Sequence, residues 1–291
     1  MTHQELKTFS IAQHYKKFRV TERTLLTGHS HQAWPDVAMA GQQQAWQDGA
    51  DFVDNKWGLA FEKAQKLKSF FANLLGEISA DNYALATNTH ELLIRFLSSL
   101  DWKKGSQLIT TDGEFHSMRR QLSRLQEEGI EVIRVPVAPA ETLTERMAAE
   151  ITDTTIAIMM SAVMFKNSAI IPHLQLIAEA SIKNGIPLLV DAYHALNVVP
   201  FTLKANGLEQ AFIVGGGYKY CQFGEGNCFL RIPHDCRSRP IITGWYAEFG
   251  ELEQTNNPDI TQYATGGDRF QGSTYDPTSH YRASTVIDFF T

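Results

Sequence analysis

The residues with the most chemical potential lie in two short stretches. One is Gly215-Gly216-Gly217-Tyr218-Lys219-Tyr220, which follows the apolar run Ala211 to Val214. The other is Asp191-Ala192-Tyr193-His194, which follows Pro187-Leu188-Leu189-Val190. A lysine at the end of a buried strand, flanked by aromatic rings, loses solvation, and that favours its neutral amine. A neutral amine can condense with an aldehyde to form a Schiff base. The glycines ahead of it are expected to let the backbone pass close to a bulky group. Asp191 is a carboxylate at the end of another apolar strand, costly to bury unless something cationic pairs with it, and a protonated ring nitrogen is such a partner. Lys219 and Asp191 are therefore the expected catalytic pair. His194 taken alone is more often a satisfied core histidine than a catalyst.

Three more strand ends carry candidate groups. At Thr87-Asn88-Thr89-His90-Glu91 an apolar strand turns into a helix, whose free N–H groups and dipole form an anion site suited to a phosphate. The same residues also spell an Asn88 cap with Glu91 three residues on. Glu114-Phe115-His116-Ser117 offers an aromatic face that could lie against a ring, although a Phe after a strand is commonly core. Ser161 ends the run Ile156 to Met160, and its hydroxyl either meets a ligand oxygen or closes a turn.

These groups need elements to position them, and the hydrophobic pattern supplies them. Phe61, Ala64, Leu67, Phe71 and Leu74 recur at helical spacing over 60–75, and Gly76 stands where a left-handed cap would end the helix. Short apolar runs at 83–86, 107–110, 132–135, 156–160, 187–190 and 212–214 read as strands. Helical patterns follow the first at Leu92, Leu93, Phe96, Leu97 and Leu100, and lie at 117–128, 141–150 and 172–184. Strands alternating with amphipathic helices predict a mainly parallel sheet covered on both faces. Such sheets bind ligands at the carboxyl ends of their strands, where every candidate above lies.

Composition excludes other classes. The 291 residues, 43% hydrophobic, suffice for a large core, and a formal charge of -6 without a basic stripe argues against nucleic acid as the main partner. No apolar run approaches a bilayer span, and the polar start Met1-Thr2-His3-Gln4-Glu5 lacks a signal-peptide core, so the cytoplasm is the expected location. Cys221, Cys228 and Cys236 show neither disulfide nor zinc spacing, so no metal is expected. The glycine run lacks the G-x-G-x-x-G spacing of a dinucleotide site.

In order and spacing these motifs resemble class V of the pyridoxal-phosphate enzymes, and within it kynureninase most. Asp191-Ala192-Tyr193-His194 resembles the D-x-x-H segment and Tyr218-Lys219 the Y-K dipeptide. Gly28-His29-Ser30 resembles G-N-S-L-G, Asn88-Thr89-His90 the phosphate-binding turn, and Glu114-Phe115-His116-Ser117 E-F-P-S-D. Ser161-Ala162-Val163 resembles S-G-V, and Thr243-Gly244-Trp245 resembles V-G-W. The similarity runs over about 25–275.

The resemblance implies the aspartate-aminotransferase-like fold type I, an α/β large domain with a mainly parallel sheet between helices, over 26–275 after an N-terminal segment 1–25. It implies pyridoxal 5'-phosphate as cofactor, with Lys219 as the Schiff-base lysine and general base and Asp191 on the pyridine nitrogen. Phe115 would stack on the ring with His194 beside it, and Ser161 would meet the phenolic oxygen. Asn88, Thr89, Ser117 and Tyr218 would complete the cofactor site. Trp245, Ser273 and Thr274 would reach it across a homodimer interface. Kynureninase-like hydrolysis of a side-chain carbon–carbon bond of an amino acid is the implied reaction. Another class V aminotransferase, a cysteine desulfurase or lyase, and a non-catalytic cofactor-binding relative remain alternatives. Met118 stands where the family has aspartate, and Ser30-His31-Gln32 where it has N-S-L-G, so the substrate is left open. The family also folds a small C-terminal domain onto the large one and takes from it an arginine for the substrate carboxylate. Here 276–291 would begin the helix leading to that domain, with the apolar face of Val286 to Phe290 expected to lie uncovered.

Overall fold

The computed structural model describes residues 10–249 and 259–291. In chain order the helices and strands are α1 (Val37–Phe52), α2 (Lys56–Leu75), β1 (Tyr83–Ala86), α3 (Thr89–Ser98), β2 (Gln107–Thr111), α4 (His116–Glu127), β3 (Glu131–Val135), α5 (Leu143–Ala149), β4 (Thr155–Ser161), α6 (Leu174–Asn184), β5 (Leu188–Asp191), α7 (Leu203–Asn206), β6 (Phe212–Gly216), β7 (Cys228–Arg231) and α8 (Thr278–Phe290). Helix α2 buries Ala60, Ala64, Leu67, Phe71 and Leu75 along one face and stops at Gly76, whose φ of 78° is the left-handed cap its sequence predicts.

The sheet order is β1-β7-β6-β5-β4-β2-β3. Strand β7 runs antiparallel to β1 and β6, and the remaining pairs are parallel. Successive residues face opposite cores. Ile158, Val190 and Ile213 join Leu67 and Phe71 on one side of the sheet, while Met159, Leu189 and Val214 join Phe96 and Leu122 on the other. This two-sided burial makes the central strands read as unbroken apolar runs.

Two elements depart from the sequence reading. Strand β7 was not among the expected strands. It is four residues long and its last residue is the fully buried Arg231, which pairs with Glu77 at 2.5 Å and donates to the carbonyls of Glu209 and Ala211 at 2.8 and 2.9 Å. Paired and hydrogen-bonded, this charge is tolerated where an isolated one would not be. The second departure corrects the expectation for the last helix. The apolar face of α8 is covered: Tyr281, Ala283, Val286 and Ile287 are buried, and the helix packs against α1 and α2. Helix α1, absent from the coarse pattern, supplies that cover, and of the run's apolar side chains only Phe290 remains substantially exposed. No helix among the described residues is long and apolar enough to cross a membrane.

Candidate active site

The carboxyl ends of β4, β5 and β6 meet at one place because these strands are adjacent, with Ser161 in register with Asp191 and Asp191 with Val214. Lys219 follows β6 after one turn and is only 4% exposed. Its Nζ lies 2.6 Å from His194 Nε2, and it sits 5.3, 5.2 and 5.6 Å from the ring centroids of Phe115, Tyr193 and Tyr218. Burial pulls the amine down to about 8, against the opposing pull of Asp191. Burial, the Lys219 charge and His29 lower His194 to about 4. A neutral imidazole at neutral pH then accepts a hydrogen bond from Nζ, which holds the amine against His194.

Asp191 Oδ1 accepts from the backbone N–H of Tyr193 at 2.8 Å. Burial raises its carboxyl to about 6, while that N–H and the Lys219 charge hold it down. The expected pair, Lys219 and Asp191, is thus brought together, with His194 and Phe115 beside the amine.

The glycine run has a different role from the one expected. A Cβ on Gly215 would meet Leu196 Cδ1 at 2.6 Å, one on Gly216 would meet Tyr193 and Cys228, and one on Gly217 would meet Phe223. The protein's own side chains fill that space, so these glycines serve the packing beneath Lys219 and not the approach of a ligand.

Asn88 behaves as the capping reading requires. Its Oδ1 accepts from Glu91 N at 3.0 Å and its Nδ2 donates to Glu91 Oε1 at 2.9 Å, at the N-terminus of α3. Thr89 Oγ1 stands 3.8 Å from Cys228 Sγ, which is 3.6 Å from Tyr193 OH, so the start of α3 is joined to the aromatic wall of the lysine. Tyr218 packs between Tyr193 and His31 at ring distances of 5.1 and 5.3 Å.

The remaining candidates lie farther out. Ser117 is half-buried in the first turn of α4 and lines a separate cleft with His90, His116 and Arg120. Trp245 Nε1 donates to Thr274 Oγ1 at 3.3 Å. Ser273 and Thr274 line a cavity of about 320 Å³ with Thr87, Glu91 and Arg95, next to the start of α3 in the same chain.

Two groups were read in the sequence only as parts of motifs and given no role of their own. His29 acts on His194 from the N-terminal loop. Glu114, quoted only for its neighbour Phe115, is buried with hydrogen bonds to Thr111 and Ser161. An acid following the apolar run of β2, three residues after a threonine, was the available signal.

Comparison with solved structures agrees with this architecture. The chain superposes on the enzyme C-DES, solved with glycine covalently linked to its PLP cofactor, at TM-score 0.81 with 16% identity, covering 96% of this chain and 73% of that one. Its fold is aspartate-aminotransferase-like, fold type I. An apo cysteine desulfurase from Thermococcus onnurineus superposes at TM-score 0.74 with 16% identity, over 97% of this chain and 71% of that one. No family model matches the chain. Among curated proteins it is similar to the uncharacterized aminotransferase YcbU of Bacillus subtilis, 23% identical over 84% of this chain and 63% of the relative. It is also similar to the kynureninase of Geobacillus thermodenitrificans, 23% identical over 69% of this chain and 49% of the relative. The cysteine desulfurase IscS of Clostridium botulinum is 28% identical over 67% of this chain and 45% of the relative. The chain thus spans about half to two thirds of the length of these relatives.

Proposed function

We propose that this chain is the large domain of a pyridoxal-phosphate-dependent enzyme of class V that cleaves a side-chain bond of an amino acid. The observation that carries the reading is the buried Lys219 amine, held 2.6 Å from a neutral His194 and facing Phe115, with Asp191 at the end of the neighbouring strand. The donor set fits the cofactor: an amine for its aldehyde, a carboxylate for its ring nitrogen, an aromatic face for its ring and the N-terminus of α3 for its phosphate.

When bound, pyridoxal phosphate supplies an electron sink for charge developing at the substrate's α carbon. Lys219 would hold it through Nζ, and the same atom would take and return a proton of the substrate. An amine pulled down to about 8 is suited to that exchange near neutrality. His194 Nε2 accepts from Nζ and positions the amine. Asp191 would keep the proton on the ring nitrogen, while Phe115 and Tyr193 keep water from the amine. Asn88, Thr89 and Tyr218 would hold the phosphate, and Ser161 would donate to the ring's phenolic oxygen. Trp245, Ser273 and Thr274 would approach from the partner in a homodimer.

Kynureninase-like hydrolysis of a carbon–carbon bond is the first reading, resting on the order of motifs from Gly28 to Trp245 and the similarity to a kynureninase. Cleavage of a carbon–sulfur bond is the second, favoured by the similarity to a cysteine desulfurase. For that reaction Cys221 and Cys228 are poor sulfur acceptors, because burial raises their thiols to about 12 and about 11. Reduction of the protein with borohydride in the presence of pyridoxal phosphate, followed by peptide mapping, is expected to label Lys219. Label on Lys166 or Lys204 instead would overturn the site. Turnover of kynurenine set beside that of cysteine and cystine separates the two reactions.

A further inference from the structure

Glu114 is a buried acid that the proposed chemistry does not use. Its Oε2 lies 2.6 Å from Ser161 Oγ, and its Oε1 accepts from Ser161 N at 3.1 Å and Thr111 Oγ1 at 2.6 Å. The carboxyl group therefore ties the end of β2 to the end of β4, directly beside the residue in register with Asp191. Among the described residues no ammonium or guanidinium pairs with it. The elements around it contribute the hydroxyls of Thr111 from β2 and Ser161 from β4, the Asp191 carboxyl from β5, and Lys219, after β6, whose charge acts on Asp191.

We propose that Glu114 is a positioning residue whose proton sets the direction of the Ser161 hydroxyl, releasing it to donate to a bound ligand. A serine hydroxyl has one hydrogen to give, and an ionised carboxylate can only accept. With Glu114 ionised, Ser161 spends its hydrogen on Glu114. With Glu114 protonated, the same contact reverses: the acid donates to Ser161 Oγ, and the serine hydrogen is free for another acceptor. Burial disfavours the charged form of Glu114, and the Asp191 charge acting on it adds to that effect, so the proton is held on Glu114 more readily than on an exposed acid. The geometry is supported by the acidities, since burial and the Asp191 charge raise Glu114 to about 7 against its hydrogen bonds, leaving Asp191, at about 6, as the charge-bearing partner.

The pyridoxal-phosphate reading enters this inference only through the choice of ligand, and the test keeps the two apart. Glu114→Gln retains an acceptor for Ser161 N and Thr111 and adds a permanent donor to Ser161 Oγ. Binding of pyridoxal 5'-phosphate to the ligand-free protein, followed by quenching of its intrinsic fluorescence, is compared between the wild type and E114Q on either side of neutrality. The wild type is expected to lose about five- to tenfold more affinity than E114Q as pH rises through about 7, the loss of one hydrogen bond. Ser161→Ala should abolish that difference by weakening binding at every pH. An equal pH dependence in wild type and E114Q would overturn the proposal. Infrared titration of the ligand-free protein provides the readout independent of cofactor. A protonated-carboxyl band that is lost near neutrality in the wild type, moves to higher pH in S161A and shrinks by one carboxyl in E114Q, leaving the Asp191 contribution, supports the proton on Glu114, and an undiminished band in E114Q refutes it. Failure of the wild type to bind pyridoxal phosphate at any pH would sink the functional reading, while the infrared band would still decide where the proton sits.

Discussion

The acidity of Lys219 is the quantity on which the proposed chemistry turns, and it can be measured without substrate. The side chain is 4% exposed, and its amine falls from 10.5 to about 8. At pH 7 an amine of that acidity is neutral in about one molecule in ten, against about one in three thousand for an unperturbed lysine. That is a gain on the order of 300-fold in the species able to attack an aldehyde. Two effects compete. Burial lowers the amine, while the Asp191 charge raises it, and the net direction says that burial wins. The three aromatic rings, 5.3, 5.2 and 5.6 Å from Nζ, also favour the charged form, so the lowering is what burial leaves after that attraction is overcome. Competitive acetylation of the ligand-free protein over about pH 6 to 11, with the exposed Lys204 as internal reference, should give a midpoint near 8 for Lys219. Asp191→Asn removes the opposing charge and should move the midpoint lower still. A midpoint near that of an ordinary lysine, or one that rises in D191N, would refute the balance of burial over charge.

Two further outcomes test the frame that carries the site. Arg231→Ala leaves Glu77 partly buried without its partner and frees the carbonyls of Glu209 and Ala211, so chemical denaturation should show a loss of about 3–5 kcal/mol. A far smaller loss would mean that solvent reaches Glu77 more readily than its burial suggests. Gly267→Ala places a methyl group against the backbone of Tyr83, with its nitrogen at 2.5 Å, and should cost about 1–3 kcal/mol in a thermal melt while leaving the acetylation midpoint of Lys219 in place. A shift in that midpoint would show that β1 and the lysine are coupled through β7.

Much of the fold was legible because its determinants are local. The apolar periods that separate helix from strand, the left-handed glycine at Gly76 and the Asn88–Glu91 cap each span only a few residues, and each stands where its sequence places it. The amphipathic face of α2 and the unbroken runs of β4 and β5 report burial directly, since only a strand covered on both sides can be apolar at every position. Strand β7 escaped because its short apolar run ends in the charged Arg231, which only the fold pairs with Glu77, and α1 because its buried positions, Ala38, Gly41 and Asp48, include just one hydrophobic side chain.

At the site, residue type and strand-end position singled out Lys219 and Asp191, while Phe115 and Ser161 took their roles from the resemblance. Only tertiary structure could bring Lys219 within 2.6 Å of His194 and place Ser161 opposite Asp191, because strand order is a non-local choice between many pairings of similar apolar runs. It also decided what neighbours mean. Gly215 to Gly217 yield space to Leu196, Tyr193 and Phe223, and α8 is covered by helices more than 200 residues earlier, as the Tyr281–Asp48 hydrogen bond across 233 residues shows. Glu114 illustrates the same limit. Its sequence gives a carboxyl and a strand end, but whether that carboxyl holds a proton depends on burial and on Asp191, two strands away in the sheet, and both exist only in the folded chain.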